Sequence, residues 1–254
     1  MRKFLLFLVI FFWIFLSSGV FAASDTISLT SKDGLVVVAD TYFINLDKDT
    51  PIIVLFHQAG WSRGEYIDIA PKLNSLGFNC LAVDLRSGNK INSVVNQTAK
   101  SAKANRLQTR YIDALPDILS ALEFLNSNFP ENQIIAWGSS YSASLVLHIA
   151  GAHNDLVQGI LAFAPGEYFA KQGKSNTWIK ESANKINVPV FITSARNEKD
   201  NWSAIFEAIP VKEKTSFIPD TIGNHGSRAL REEFDDHVAY WDAVTTFLKQ
   251  HFLN

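Results

Sequence analysis

The stretch Gln133–Leu145, QIIAWGSSYSASL, decides the fold of this 254-residue chain. Its first part, Ile134 to Trp137, is a short run of apolar residues, which is typical of a strand buried on both faces of a parallel sheet. Small residues follow, and Ala143 to Leu147 predicts a helix. A strand, a sharp turn and a helix in this order predict a nucleophile elbow, in which a strained residue, here Ser140, holds its hydroxyl beside the helix N-terminus.

Small residues flank Ser140 where the elbow requires them. The backbones of strand and helix approach closely at such a turn, so the residues two before and two after the nucleophile must be small. Gly138 and Ser142 stand at these positions, with serine in place of the usual glycine at the second. The same Ser and Gly runs also occur in ordinary strand-to-helix turns, so the motif is a hypothesis that its context must support.

The N-terminus has the three parts of a secretory signal peptide. Two basic residues follow Met1, Phe4–Leu16 is apolar throughout, and Val20 and Ala22 supply small residues before a cut in front of Ala23. This pattern predicts a signal peptide over residues 1–22 and an exported, periplasmic or secreted, protein that meets the membrane only through that peptide. The alternative is a retained anchor, since about 20 uncharged residues can span a bilayer.

Residues 23–254 predict a single domain, because no linker composition and no internal repeat interrupts them. The net charge is −2 and both signs are mixed along the chain, so no basic face indicates a nucleic-acid partner. Cys80 is the only cysteine, which excludes an intramolecular disulfide and predicts a core thiol. Nothing in the sequence indicates an oligomeric state.

Strand and helix patterns alternate along the rest of the chain. Residues 26–45 predict two antiparallel strands at the edge of a sheet. A continuous apolar run predicts a strand at 51–56, and further strands are predicted at 78–83, 157–164, 188–193 and 215–218. Helical spacing of apolar residues predicts helices within 66–76, 111–125, 178–186, 202–209 and 230–252, whereas the polar residues 89–105 predict irregular structure. Together these patterns predict a three-layer α/β/α sandwich with a mostly parallel sheet of about eight strands.

Unusual polar residues fall just after the predicted strands, at the carboxyl edge where parallel sheets place ligands. A serine hydroxyl is a weak nucleophile without a base, and a histidine that titrates near neutral pH is the usual base. Among the six histidines, His225 follows the last predicted strand and best fits this role. His57 lies in the loop before the first helix, where it could brace the turn. The remaining histidines fall in or beside predicted helices: His148, His153, His237 and His251.

With these residues in place, the chain resembles the α/β-hydrolase superfamily, and most closely its small dienelactone-hydrolase-like and esterase-like members. Ser140, Glu198 and His225 stand in the family's order of nucleophile, acid and histidine. Residues 57–60, HQAG, are similar to the family's His-Gly loop, and residues 84–88, DLRSG, are similar to its Asp-x-Arg-Gly turn. The order of these matches along the chain is what makes the resemblance specific.

The acid of this triad has several candidates. Asn197 occupies the commonest acid position, with Glu198 beside it and Asp200 two residues further on. Glu167 stands at the alternative place after the preceding strand. We expect Glu198 to be the acid, because it lies where the chain should turn toward the histidine, and we expect Asp200 to cap the next helix.

The resemblance also implies a mechanism. Ser140 would attack a carbonyl carbon while His225 accepts its proton and later donates it to the leaving group. The family stabilises the oxyanion with backbone amides, and the matching positions are Tyr141 and either Ala59 or Gln58. This route needs no metal and no organic cofactor.

Aromatic residues in or beside the same loops are candidates for substrate contacts: Trp61, Tyr168 and Trp202. The segment between the predicted strands at 157–164 and 188–193 is too short for a large lid domain, which favours small, accessible substrates. The sequence therefore predicts an exported serine hydrolase that cleaves carboxylic esters or lactones. A serine peptidase or amidase, and a catalytically silent binding protein of the same fold, remain alternatives.

We expect the mature protein to begin at Ala23, because Val20 and Ala22 fit the small-residue rule of signal peptidase whereas Phe21 is too large for a cut one residue later. N-terminal sequencing of exported protein checks this expectation. Membrane-bound protein that still begins at Met1 would instead support a retained anchor.

Overall fold

A single mixed sheet forms the centre of the structure, a computed structural model that describes residues 25–253. The sheet has eight strands in the order β1-β2-β4-β3-β7-β8-β9-β10. The predicted signal peptide, residues 1–22, lies outside the described residues. The mostly parallel, eight-stranded architecture predicted from the sequence is therefore confirmed.

The strands are short, and most of them are parallel. Within the eight-stranded sheet, which lies entirely in residues 25–253, only β1 with β2 and β2 with β4 pair antiparallel, at the predicted leading edge. A separate small hairpin is formed by β5 and β6. The strand bounds are β1 Asp25–Thr30, β2 Val36–Tyr42, β3 Ile52–Phe56, β4 Asn79–Val83, β5 Lys90–Ile91, β6 Val94–Val95, β7 Ile134–Ser139, β8 Gly159–Phe163, β9 Val190–Thr193 and β10 Lys214–Phe217.

Helices cover both faces of the sheet and complete the three layers. Apolar residues of α1 and α7 pack on one face, and those of α3, α4, α5 and α6 pack on the other. Within residues 25–253, no helix combines the length and the apolar character that a membrane span requires. The helix bounds are α1 Ile69–Ser75, α2 Gln97–Ala104, α3 Leu115–Asn128, α4 Tyr141–Ala152, α5 Trp178–Ala183, α6 Ser203–Ala208 and α7 His237–Phe252.

The structure corrects the sequence-based prediction in two places. Residues 89–105 are not irregular, because they form the β5–β6 hairpin and α2, whose N-terminus is capped by the Asn96 side chain accepting from the Ala99 amide. The last helix begins at His237 and not near Leu230, which belongs to a 3₁₀ turn, Gly226–Leu230. Leu230 and Phe234 thus share the helical spacing of the apolar residues of α7, although both precede the helix.

A buried arginine ties the edge of the sheet to the helix that covers it. The Arg86 guanidinium donates to both carboxylate oxygens of Asp117 on α3, with the shortest contact at 2.6 Å. It also donates to Asp33 in the β1–β2 turn at 2.6 and 3.0 Å, and holds the pKa of that carboxyl well below its usual range. Both Arg86 and Asp117 are buried, so the charge of each is stabilised by the opposite charge of the other.

Replacing Arg86 with methionine should lower the free energy of unfolding by about 3 to 5 kcal/mol, because it leaves the Asp117 carboxylate buried without its partner. The matched control is Arg110→Met, which breaks an exposed pair with Asp113 and should leave the unfolding midpoint nearly unchanged. Urea titration measures both variants. A loss below about 1 kcal/mol for Arg86→Met would contradict this role.

Candidate active site

The turn between β7 and α4 has the backbone of a nucleophile elbow. Ser140 lies between the strand and the helix with φ 61° and ψ −121°, a conformation that non-glycine residues rarely adopt. A Cβ on Gly138 would come within 2.4 Å of the Ala143 backbone, so strand and helix approach as closely as the sequence predicted. Ser140 is thus the strained residue of the turn, and it is partly exposed.

The serines on either side of Ser140 point into the protein and make fixed hydrogen bonds. The buried Ser139 hydroxyl donates to Glu65 Oε1 at 2.7 Å and accepts from the Ser227 amide at 2.9 Å. The Ser142 hydroxyl accepts from the Ser139 amide and lies 2.8 Å from the carbonyl oxygen of Phe56 at the end of β3. Serine therefore replaces the usual glycine at this position while bonding the elbow to the neighbouring strand.

Glu198 and His225 meet at the same edge of the sheet. Glu198 lies in a 3₁₀ turn after β9, and His225 lies in the loop after β10. Glu198 Oε1 is 2.5 Å from His225 Nδ1, and the two side chains are 22% and 30% exposed. The bond leaves Nε2 as the free ring nitrogen of His225.

The other two acidic candidates have different positions. The Glu167 carboxylate accepts from the amides of Ile179 and Lys180, both at 2.9 Å, and so stabilises the N-terminus of α5. Asp200 is exposed. The expectation that Asp200 caps the next helix is wrong, since α6 begins only after Trp202 and no side chain among residues 25–253 caps it.

The loop that carries His225 is bonded to the elbow and to β9. The indole of Trp137 on β7 donates to the Ser227 hydroxyl at 2.8 Å. Tyr240 on α7 donates to the Ser194 carbonyl at 3.0 Å and accepts from the Asn224 amide. Gly226 has φ +70°, and a Cβ there would lie 2.5 Å from the Ser139 hydroxyl oxygen, so this position favours glycine.

Two of the three oxyanion donors expected from the sequence, Tyr141 and Ala59, begin α4 and lie on the loop after β3, respectively. Tyr141 is the first residue of α4, so its amide has no intrahelical acceptor and belongs to the positive end of the helix dipole. Ala59 lies on the partly exposed loop after β3. The prediction that Gln58 is an oxyanion donor is wrong. Its backbone amide already donates to Glu65 Oε2, at 2.8 Å.

His57 braces the turn after β3. Its Nδ1 is 2.8 Å from the Gln58 carbonyl, and its Nε2 accepts from the Leu85 amide at 2.8 Å, which assigns the neutral tautomer protonated on Nδ1. Complete burial lowers the pKa of this imidazole and favours the neutral form. Within residues 25–253, no group of three or more His, Cys, Asp or Glu side chains is arranged to hold a metal ion.

The three candidate aromatic residues occupy different environments. Tyr168 donates to the Ala164 carbonyl at 2.8 Å, and the nearby Ser140 side chain opposes the rise in the pKa of its phenol that burial causes, so the ring lies near the nucleophile candidate. Trp61 is partly exposed on the loop that carries Ala59. Trp202 is only 2% exposed and its indole donates to the Ser194 hydroxyl. The assignment of Trp202 to the substrate site is wrong because its ring packs beneath the loops.

The sequence did not indicate Glu65, which lies beneath the elbow in the 3₁₀ turn Arg63–Tyr66. It is buried, and desolvation raises the pKa of its carboxyl to about 7. Its acceptor contacts reach both the loop after β3 and the elbow. An acidic residue before a predicted helix is usually solvated, so only the three-dimensional structure could reveal this position.

Solved structures with the same fold are esterases and related hydrolases. An esterase of Pyrococcus furiosus superposes with a TM-score of 0.68 over 91% of this chain and 93% of its own, at 18% identity. Dienelactone hydrolase from Anabaena variabilis gives a TM-score of 0.69 over 91% and 98% of the two chains, at 13% identity. A carboxyl esterase from Bacillus coagulans gives 0.67 over 91% and 99%, at 12% identity.

By sequence alone, no protein-family model and no curated protein matches the chain. At these identities the likeness concerns the fold, which extends over nearly the whole length of each neighbour. The strand order, the strained elbow and these superpositions lead to one conclusion. The chain has the α/β-hydrolase fold, as do the esterases and the dienelactone hydrolase on which it superposes.

Proposed function

We propose that this protein is an exported serine hydrolase that cleaves carboxylic esters or lactones through an acyl-enzyme on Ser140. One observation carries the proposal: a partly exposed serine in a strained elbow lies at the sheet edge that also holds a histidine bonded to a carboxylate. The elbow and the His225 loop are in direct contact, because the Ser227 amide donates to Ser139, the neighbour of the nucleophile.

His225 serves as the general base in this mechanism. Its Nε2 takes the proton of the Ser140 hydroxyl as the oxygen attacks the carbonyl carbon, and returns it to the leaving alcohol when the ester bond breaks. Glu198, 2.5 Å from Nδ1, holds the ring in the required tautomer and stabilises the imidazolium that forms. Water then repeats the sequence and releases the acid.

The amides of Tyr141 and Ala59 stabilise the oxyanion that develops in each step. Each is a preorganised donor, and losing one such donor typically costs about 3 kcal/mol of transition-state stabilisation. The phenol of Tyr168 lies near the Ser140 side chain, where it can contact the acyl group. The two amides and the Tyr168 phenol are uncharged, so they can contact the carbonyl and acyl group of a neutral substrate.

The short loops favour small substrates. Between β8 and β9 the chain forms only a 3₁₀ turn, Ala170–Gln172, and α5, so no lid domain covers the sheet edge. The N-terminal signal pattern supports export, and the esterase neighbours support an ester as the bond cleaved. An amide substrate would use the same groups, and a panel of esters, lactones and peptides separates the two.

Replacing Ser140 with alanine should abolish ester hydrolysis and leave the fold intact, because its hydroxyl faces the site and not the core. The matched variant Ser139→Ala should be milder, since Ser139 only supports the elbow. Steady-state hydrolysis of p-nitrophenyl esters measures both. Full activity of Ser140→Ala together with loss in Ser139→Ala would place the nucleophile one residue earlier.

Replacing Glu198 with glutamine should lower turnover by up to about 10⁴-fold, since the imidazole loses the carboxylate that fixes its tautomer. Glu167→Gln and Asp200→Asn are the matched controls, because both remove a carboxylate of the same edge that does not contact His225. Comparison of kcat among the three variants decides the acid. If Glu198→Gln kept near wild-type turnover while a control collapsed, that control would identify the acid.

A further inference from the structure

One buried carboxylate, that of Glu65, connects three of the four segments that carry the proposed catalytic groups; the fourth is the turn with Glu198. Glu65 Oε2 accepts from the backbone amide of Gln58, the residue before Ala59. Glu65 Oε1 accepts from the Ser139 hydroxyl, on the residue before the nucleophile. That hydroxyl in turn accepts from the Ser227 amide, two residues after His225. The chain of bonds therefore runs from the oxyanion loop through the elbow to the histidine loop.

The turn that holds Glu65 is itself fixed to the sheet. The Tyr66 hydroxyl donates to the Phe56 carbonyl at the end of β3, at 2.7 Å. Arg63 pairs with the buried Asp84 at 2.8 Å and with Asp40 at 2.8 Å. A Cβ on Gly64 would lie 2.6 Å from the Ile91 carbonyl, so the β5–β6 hairpin packs directly on the turn. The carboxylate is thus presented from a rigid support.

A carboxylate at this place is costly for folding. Its burial raises the pKa to about 7, and the charges of Arg231 and Arg228 lower it only in part. Among the described residues, Glu65 takes part in no ion pair within salt-bridge distance. Its hydrogen bonds from the Gln58 amide and the Ser139 hydroxyl also lower the pKa, but burial without an ion pair still disfavours the charged form, and such groups are concentrated at functional sites. This cost indicates a role other than stability.

We propose that Glu65 is a positioning residue that sets the oxyanion loop, the nucleophile and the base relative to one another. Accepting the Gln58 amide turns that peptide away from the site and leaves the next amide, that of Ala59, as the donor to the oxyanion. The hydrogen bond from the Ser139 hydroxyl to Glu65 fixes the residue that precedes the nucleophile Ser140. The inference rests on the proposed function, since it assigns a role in that same reaction.

Two variants separate the reach of the side chain from its charge. Glu65→Gln keeps the length, so its amide oxygen can accept from Gln58 while its amide nitrogen donates to the Ser139 hydroxyl. Glu65→Asp keeps the charge but is one methylene shorter and cannot contact both partners. Asp117→Asn is the matched control, because it alters a buried carboxylate that contacts Arg86 and none of the catalytic loops.

The experiment measures kcat and KM for a p-nitrophenyl ester, with active sites titrated by a fluorophosphonate. We expect Glu65→Asp to lose at least about tenfold in kcat per titrated site with KM changed by less than about threefold, because misplacement affects the transition state most. We expect Glu65→Gln to stay within about fivefold of wild type. The control should lower the unfolding temperature without changing kcat per site.

Three results would decide against the inference or its premise. If kcat per titrated site of Glu65→Asp stayed within about threefold of wild type, the positioning role would be overturned. A larger kcat loss for Glu65→Gln than for Glu65→Asp would also overturn it, since charge and not reach would then matter. Failure of the wild-type protein to be titrated at all would instead reject the proposed function.

Discussion

The backbone strain at Ser140 is the constraint on which the rest of the site depends. A serine with φ near +61° costs free energy, and it persists only where the surrounding structure determines it. Here the surroundings are the closely packed β7 and α4, which meet at Gly138 and Ala143. The Ser140 amide donates to the Phe163 carbonyl at 2.7 Å, which bonds the strained residue to β8. The sheet therefore holds the hydroxyl out at its carboxyl edge.

A buried polar layer lies directly beneath this strained residue. Ser139, Ser142 and Ser227 exchange hydrogen bonds with each other, with Glu65 and with the end of β3. The loops after β3, β7 and β10 are thereby bonded to one another, although each follows a different strand. Satisfied networks of this kind rigidify a core and specify a single arrangement, whereas a partly satisfied one is costly. This network therefore holds the loops after β3, β7 and β10 in one relative arrangement.

Much of the fold could be predicted from the sequence because its parallel strands are buried on both faces. Such strands are rich in apolar residues, as in Ile52–Phe56 and Asn79–Val83, and every residue of both is buried. The helix α2 could not be predicted in this way, because its sequence QTAKSAKA contains no apolar residue larger than alanine. It is fixed instead by tertiary contacts, in which Asn96 donates to the Leu85 and Trp61 carbonyls.

The positions of Ser140, Glu198 and His225 followed from topology, since loops at the ends of parallel strands converge. The directions of single groups did not follow from it. The Gln58 amide is turned toward Glu65, seven residues later, and no local pattern indicates this. Trp202 was misplaced because an aromatic residue near a loop can point into the core as readily as into a pocket. Glu65 was missed because its burial depends on contacts with Ser139, distant in sequence.

The most direct test of the central claim is to identify the residue that forms a covalent adduct with a fluorophosphonate. Intact mass before and after the reaction gives the stoichiometry, and peptide mapping gives the position. The account predicts one adduct per chain, on Ser140, and none on folded Ser140→Ala protein. An adduct on another residue of the wild-type protein, or no adduct on the folded wild-type protein, would contradict it.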